Sequence, residues 1–266
     1  MSMTGTMSGE LGIATPTRPP GAAAAAGQIA RRALRKYFRT PGLFVMGMVQ
    51  SGMFLFSFRY VFGGAITADG TSYVDFLVPG YVATIVLFTG GGIAVAVAED
   101  RAQGFTDRLL SLPVPRLSIV LGRAAADFTT NAWSILFTAG LGFAFGFRLG
   151  TGPADGLAAL GLCLLYGLVF TVVFIVIGLF APNVQAAQGM SMIAFILAFL
   201  SSTYVPTGTM PGWLQPFAKY QPVTPMVDAV RSALTGATTD LVPALVWSAV
   251  LVAVFTPIAV LKYRRA

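Results

Sequence analysis

The chain of 266 residues is 56% hydrophobic and only 10% charged, with a formal net charge of +7 and a mean hydropathy of +0.77. Because soluble domains are about 25% charged, this composition excludes an ordinary soluble fold and indicates a membrane protein. The lack of histidine and the single Cys163 exclude a Ser-His-Asp triad, an H-E-x-x-H zinc site and an internal disulfide, and no G-x-x-x-x-G-K-[ST] loop is present to bind ATP phosphates.

Two different segments precede the first long apolar run. Residues 1–27, rich in Thr, Pro, Gly and Ala, have the composition of a disordered tail. In residues 28–39 apolar positions recur every four residues with cations between them, which predicts an amphipathic helix lying in the membrane interface. This helix either only anchors the chain or also contacts a cytoplasmic partner. Its basic face carries Arg31, Arg32, Arg35 and Lys36.

Apolar runs of membrane-spanning length make up most of the remaining chain. About 20 helical residues are needed to cross a hydrocarbon core of about 30 Å. Six runs reach that length, at residues 43–62, 76–98, 128–147, 157–181, 186–205 and 241–261. The sequence therefore predicts an all-α membrane protein with six transmembrane helices.

The distribution of Lys and Arg predicts the orientation of these six spans. Of the 17 cations, 13 fall before the first span, between the second and third spans, or after the last span. Because cytoplasmic loops carry the excess of Lys and Arg, both termini are expected in the cytoplasm. The positive net charge then reflects this rule and contact with anionic membrane lipid, and it does not indicate a nucleic-acid partner.

Few charges interrupt the spans. Arg59 follows Pro41 by 18 residues, so it lies about 27 Å along the first helix and can extend to the outer surface. An ionisable group at mid-depth usually marks an ion path, and the spans place none there, which disfavours an ion-coupled carrier. The glycines at 90–92 and the Gly142-x-x-x-Gly146 pattern favour close helix packing over a role in a substrate path.

A polar island separates the second and third spans. Residues 97–123 carry seven charges among 27 residues, while long stretches on both sides carry none. Pro113 and Pro115 would prevent this segment from merging into the third span. A short segment of mixed charge can dock on a soluble partner, with electrostatics setting its register. The alternative is a loop that is merely solvated.

The outer loop between spans five and six, residues 206–240, is long enough to have structure of its own. Trp213 and Phe217 suit the headgroup level of the membrane. Thr224-Pro225 resembles a helix start and Gly236 a helix stop, which predicts a short helix at 225–235. The segment is expected to form an extracellular re-entrant or surface-lying hairpin, with a passive extracellular cap as the alternative.

The order of these features resembles a known family of transporters. The chain resembles the permease subunit of ABC-2 type ABC transporters. The shared features are six spans, a basic amphipathic helix before the first span and a charged segment after the second. The resemblance is to the daunorubicin/doxorubicin-resistance branch, which includes complex-lipid exporters, and it covers about residues 28–266. It departs from the strict C-terminal signature of the superfamily around Val223 and Pro225. The motif residues are Glu99-Asp100, Gly104, Asp107-Arg108, Leu112-Pro113, Arg116, Gly122-Arg123 and Asp127, then Pro211-Gly212-Trp213, Pro216-Phe217, Gln221-Pro222 and Arg231.

The resemblance implies a function for the polar island and for the hairpin. In such permeases the cytoplasmic segment after span two, here 99–123, couples the membrane domain to a separate ATPase subunit. That subunit is expected to bind ATP and Mg²⁺, so this chain is expected to bind no cofactor and to catalyse no reaction. The expected coupling residues are Glu99, Asp100, Arg101, Asp107, Arg108 and Arg116, and those of the outer hairpin are Trp213, Phe217 and Arg231.

The resemblance also implies an assembly and a cargo. Two permeases, either two copies of this chain or this chain with a homologous permease, would form the substrate path in a bacterial plasma membrane. Because the expected path lacks fixed charge, the cargo is predicted to be hydrophobic or amphipathic. A polysaccharide-exporting permease remains an alternative, because aromatic residues recur at alternate positions from Phe54 to Phe62. A secondary carrier and a non-transporting scaffold are the more distant alternatives.

Overall fold

The computed structural model describes residues 31, 41–62, 73–104, 116–150, 152–236, 238 and 240–265. Every regular element in these ranges is a helix. The main helices are α1 (Pro41–Ser57, followed by a π-helical turn at Phe58–Phe62), α2 (Tyr73–Ala102), α3 (Arg116–Ala144), α4 (Pro153–Phe180), α5 (Val184–Phe199), α6 (Gln215–Tyr220), α7 (Val223–Thr235) and α8 (Val242–Arg265); a 3₁₀ turn at Thr207–Thr209 precedes α6.

Among the described residues, three helices are both long and apolar enough to cross a membrane: α2, α4, and Val242–Lys262 within α8. The all-helical membrane class predicted from the sequence agrees with this architecture, and the number of six spans stays a prediction. The helix α5 is apolar, but its 16 residues extend only about 24 Å, less than a hydrocarbon core of about 30 Å.

Helix α5 ends earlier than the predicted span at 186–205. Hydroxyl side chains directly after it form local hydrogen bonds that compete with the helix. The Ser201 hydroxyl donates to the Ala198 carbonyl at 2.6 Å and lies 2.6 Å from the Thr203 hydroxyl. The chain therefore leaves the helix after Phe199 and forms the buried turn 201–204.

Helix α3 begins earlier and ends earlier than the predicted span at 128–147. It starts at Arg116, directly after Pro115, so residues 116–123 of the predicted coupling segment are helical. It ends at Ala144. In the turn that follows, Gly146 has a φ of +94°, which allows the Phe147 amide to donate to the Gly142 carbonyl and the Gly146 amide to the Phe143 carbonyl. This pair of bonds is a Schellman motif, which satisfies the last carbonyls of a helix.

Helix α2 is the centre of the described structure, with buried side chains along most of its length. Small residues let its neighbours approach closely. A Cβ atom on Gly90 would overlap the Phe174 ring of α4, and one on Gly142 of α3 would overlap Val78. On α4, a Cβ on Gly178 would lie 2.5 Å from the Ala94 carbonyl oxygen. The glycines at 90 and 142 therefore serve packing, as expected for helices in a membrane.

The helix ends meet in two groups. At one end, named the Arg101 end, Arg101 of α2 contacts the end of α4, and the Lys262 ammonium of α8 lies 4.7 Å from the Phe180 ring centre. At the other, named the Arg231 end, the Tyr73 hydroxyl donates to the Tyr204 carbonyl at 3.2 Å. Helices α2, α4 and α8 therefore finish at the same end of the bundle.

Candidate functional site

The predicted coupling residues lie at and beyond the Arg101 end. Glu99, Asp100 and Arg101 form the last turn of α2, where all three are half-buried. Arg116 is the first residue of α3. Asp107 and Arg108 lie outside the described residues. The predicted segment 99–123 is thus helical at both ends, because α2 continues through its first residues and α3 begins at Arg116.

The Arg101 side chain binds the end of another helix. Its Nη1 donates to the Leu179 carbonyl at 2.6 Å and to the Ala181 carbonyl at 3.4 Å. The last carbonyls of a helix have no partner within it and carry partial negative charge, so a cation there is stabilising. Arg101 therefore joins the ends of α2 and α4, a structural role that the sequence pattern did not indicate.

The predicted interfacial helix falls almost wholly outside the described residues. Arg31 is helical and exposed. Arg32, Arg35 and Lys36 are not described, so the basic face predicted for this segment stays a prediction.

The segment predicted to form the outer hairpin, residues 206–240 and here called the hairpin, contains one exposed helix and one buried helix. Trp213, Phe217 and Tyr220 are spaced along the exposed side of α6 and the turn before it, and the Trp213 side chain is 79% exposed. Helix α7 is different, because the side chains of Val227, Ala229 and Val230 are fully buried against the bundle.

Helix α7 ends as predicted and begins two residues earlier than predicted. It stops after Thr235, and Gly236 takes a φ of +76°, a conformation that glycine adopts readily. The Thr224 hydroxyl does not cap the helix but donates to the Ala218 carbonyl of α6 at 2.5 Å. It thereby connects the two helices of the hairpin.

Arg231 is the most highly coordinated cation in the described part of the chain. Sequence reasoning placed it among the cations of an outer loop, whereas the structure leaves only 15% of its side chain exposed. Its Nη1 donates to Asp228 Oδ1 at 2.8 Å, its Nη2 to the Ser202 carbonyl at 2.7 Å and its Nε to the Phe76 carbonyl at 3.3 Å. The guanidinium carbon also lies 3.9 Å from the Phe76 ring centre.

These four residues, Phe76, Ser202, Asp228 and Arg231, are named the Arg231 network. The Ser202 hydroxyl completes it by donating to Asp228 Oδ1 at 2.7 Å. Burial lowers the pKa of Arg231 to about 10 and the Asp228 carboxylate opposes that effect, so the guanidinium stays charged at neutral pH. A buried cation is stable here because each of its three nitrogens donates a hydrogen bond and a carboxylate is adjacent.

Gly80 of α2 makes the close approach to the network possible. A Cβ on this residue would lie 2.6 Å from the Thr203 carbonyl oxygen and 3.0 Å from Arg231 Nη2. Only a residue without a side chain allows the turn 201–204 and the guanidinium to lie this near the α2 backbone. Pro79 directly before it removes one amide from the α2 hydrogen-bond ladder.

Sequence reasoning missed three members of this site. Phe76 and Ser202 lie in predicted spans. Each binds Arg231 through its backbone carbonyl, which no sequence pattern reveals, and each adds a side-chain contact to the network. Asp228 was detectable in principle, because it precedes Arg231 by three residues and would share a helix face with it. A fourth omission is the pair Thr89 and Asn131, whose side chains are hydrogen-bonded at 2.6 Å between the middles of α2 and α3.

The aromatic series from Phe54 to Phe62 does not form one face. Phe54 packs on Tyr81 and Phe88 of α2, with ring centres about 6 Å apart, and Phe58 stacks on Tyr204 at 4.6 Å. Phe56 is exposed. The inward members thus fill the space between α1, α2 and the turn after α5 and do not line an open aromatic track.

Together, the long apolar helices of the described residues and their packing through small residues indicate a helical membrane protein. The family description "ABC-2 type transporter" matches residues 25–235 of the chain. The chain belongs to the ABC-2 type transporter family.

Curated relatives agree with this assignment. The probable doxorubicin resistance ABC transporter permease protein DrrC of Mycobacterium tuberculosis is 29% identical over 98% of this chain and 98% of its own length. The daunorubicin resistance ABC transporter permease protein DrrB1 of Streptomyces coeruleorubidus is 29% identical over 80% of this chain and 76% of its own length. The putative transport permease ycf38 of Pyropia yezoensis is 27% identical over 75% of this chain.

Proposed function

We propose that the chain is the permease subunit of an ATP-driven exporter in the bacterial plasma membrane. The main support is the ABC-2 family match over residues 25–235, together with alignment along almost the whole chain to a permease named for doxorubicin resistance. A separate ATPase subunit supplies ATP hydrolysis and binds the nucleotide and Mg²⁺. A second permease, either another copy of the chain or a homologue, completes the substrate path.

The ATPase is proposed to dock at the Arg101 end. Glu99 and Asp100 carry negative charge on the last turn of α2, and the segment that follows supplies Asp107 and Arg108. Charged groups at an interface of this kind set the register between partners. Movement of the ATPase would then shift the end of α2. Arg101 serves this step indirectly, since it holds α2 against α4.

The proposed cargo is hydrophobic or amphipathic, such as a lipid or a lipophilic drug. The helices expose apolar side chains along α1, α5 and α8, and the relatives are named for resistance to daunorubicin and doxorubicin. Export of a polysaccharide is the second candidate. It receives less support, because the inward aromatic residues of α1 are packed against α2 and are not displayed on a continuous face.

Reversal of charge in the proposed coupling segment tests the ATPase interface. The variant Asp100→Lys, Asp107→Lys, Arg108→Glu leaves Arg101 and its contact with α4 intact. Co-purification with the ATPase should weaken by about tenfold or more, since loss of an interface charge pair commonly costs about 2–5 kcal/mol. The matched control reverses two exposed cations elsewhere, Arg148→Glu and Lys219→Glu. Normal binding and export by the triple variant would overturn the interface.

Orientation and cargo need separate measurements. In a Cys163→Ala background, single cysteines at Asp155 and Thr238 should react with an impermeant thiol reagent outside the cell, and one at Gln103 should not. Labelling at Gln103 would reverse the orientation. For the cargo, the purified complex in proteoliposomes should transport doxorubicin with ATP; transport of a labelled glycan in its place would favour the polysaccharide alternative.

A further inference from the structure

Helix α2 connects the two ends of the bundle as one helix, with Pro79 near its start. Its 30 residues extend about 45 Å, from Tyr73 at the Arg231 end to Ala102 beside the proposed ATPase interface. Close contacts through Gly90 and Gly178 hold it against α4 along the way. Rigid helices can carry coupling between distant sites, so a displacement of the last turn of α2 would reach its first turn if the helix moves as one body.

The hairpin is attached to the first turns of α2 mainly through backbone atoms. Arg231 donates to the Phe76 carbonyl, and the Tyr73 hydroxyl donates to the Tyr204 carbonyl directly before the hairpin. Gly80 brings the α2 backbone within reach of Thr203. Each of these hydrogen bonds has a backbone carbonyl as its acceptor, so only movement of the Arg231 or Tyr73 side chain, or of the backbone itself, can break it.

The interior of the hairpin is equally well connected. The Ser202 amide donates to the Thr224 hydroxyl at 3.2 Å, and the Gln221 side-chain amide donates to the Leu197 carbonyl at 2.9 Å. Arg231 and Asp228 then join α7 to Ser202. Residues 201–235 and the start of α2 thus share a set of hydrogen bonds to which the buried Arg231 guanidinium contributes contacts on both sides, beside the bond from Tyr73 to the Tyr204 carbonyl.

We propose that Arg231 is a positioning residue which makes the outer hairpin and α2 one rigid unit, so that movement of the Glu99–Arg101 turn is carried to the outer surface. This inference rests on the proposed function for its source of movement. Arg231 lies at the opposite end of α2 from the proposed ATPase interface. It acts by holding the hairpin in a fixed position relative to α2. Without it, ATP is hydrolysed but less cargo is exported per ATP.

A distance measurement on the assembled complex tests rigidity directly. Spin labels at Gln103, at the end of α2, and at Gly212, on the exposed part of the hairpin, mark the two ends of the unit. With labelled chains diluted by unlabelled ones, the distance distribution should be the same in nucleotide-free and ATP-trapped complexes. In the Arg231→Met background it should broaden. A shift in the otherwise wild-type chain, or an unchanged distribution in Arg231→Met, would overturn the proposal.

Coupling is the second readout. In nanodiscs with the ATPase, Arg231→Met should reduce cargo exported per ATP hydrolysed by about tenfold, within the usual range of coupling between sites, while ATPase binding is retained. Arg231→Lys should retain part of this ratio, because an ammonium can still donate hydrogen bonds. Arg148→Met, an exposed arginine of the same end, is the matched control. An unaltered ratio in Arg231→Met would contradict the inference.

The two proposals fail in different ways. If the wild-type chain neither binds an ATPase nor exports with ATP, the proposed function is wrong. The distance between labels at Gln103 and Gly212 can still be compared between the wild type and Arg231→Met, and this comparison tests whether the unit is rigid. If wild type exports normally and Arg231→Met does so at the same ratio, only the positioning role is wrong.

Discussion

The two ends of α2 are each held by an arginine, in different ways. Arg101 uses one nitrogen to reach two carbonyls at the end of α4, and it is half-buried. Arg231 uses all three nitrogens, pairs with a carboxylate, lies over an aromatic ring and is largely buried. Of these two arginines, Arg231 is therefore the more deeply buried and the one paired with a carboxylate, and it lies at the end of α2 away from the proposed ATPase interface.

Removal of the Asp228 charge, at the Arg231 end, should cause the largest loss in the free energy of unfolding. Asp228→Asn leaves the Arg231 guanidinium buried without its carboxylate. Breaking a buried ion pair lowers the free energy of unfolding by about 3–5 kcal/mol. Because Asp228 is partly exposed, the lower value is expected. Thermal unfolding in detergent measures the loss. The double variant Asp228→Asn, Arg231→Met should be little worse than the worse single variant, since the two residues act as a unit. Additive losses would argue against a shared network.

The next largest effect is expected at Gly80. Gly80→Val places carbon atoms against the Thr203 carbonyl and the guanidinium, and overpacking of this kind costs about 1–3 kcal/mol. Gly92→Val on the same helix is the matched control, because a Cβ there meets nothing within 4 Å. Protease cleavage within the hairpin, measured alongside thermal unfolding, should increase only for Gly80→Val. Equal behaviour of the two variants would show that the close approach is unimportant.

A smaller effect is expected at the other end of α2. Arg101→Met removes a cation from the end of α4, which is worth about 0.3–1 kcal/mol at a helix terminus. Thermal unfolding should therefore change far less than in Asp228→Asn. A loss as large as that at Asp228 would remove the contrast between the two ends.

The smallest effect on stability is expected at the exposed hairpin residues. Trp213→Ala with Phe217→Ala removes side chains that make few contacts within the described chain, so the free energy of unfolding should change by no more than about 0.5 kcal/mol. Export in matched-expression cells should nevertheless fall if these aromatics hold α6 at the membrane surface. Unchanged export would make this part of the hairpin a passive cap.

The fold class was accessible from sequence because membrane helices leave a strong compositional signal. Apolar runs near 157–181 and 241–261 correspond closely to α4 and α8. Helix boundaries were less accessible where side chains compete with the backbone. Ser201 and Thr203 end α5 through their own hydrogen bonds, although the apolar run continues to Val205.

The sequence identified the charged residues of the candidate sites but not the atoms that they contact. Arg101 and Arg231 were both recognised. The coupling role of Arg101 stays a prediction, and its hydrogen bond to the end of α4 was not predicted. A backbone carbonyl has the same chemistry in every residue. No sequence pattern therefore predicts which carbonyls a side chain will reach.

The sequence by itself determined the membrane class, the approximate positions of the apolar helices and the stop of α7 at Gly236, because these depend on hydropathy, local hydrogen bonding and the φ angles a residue tolerates. Tertiary structure alone decided that α7 is buried, that Arg231 is paired with Asp228 and seated on Phe76, and that Gly80 admits the turn 201–204. These features depend on contacts between residues that are up to 155 positions apart, and such contacts exist only once the helices have packed.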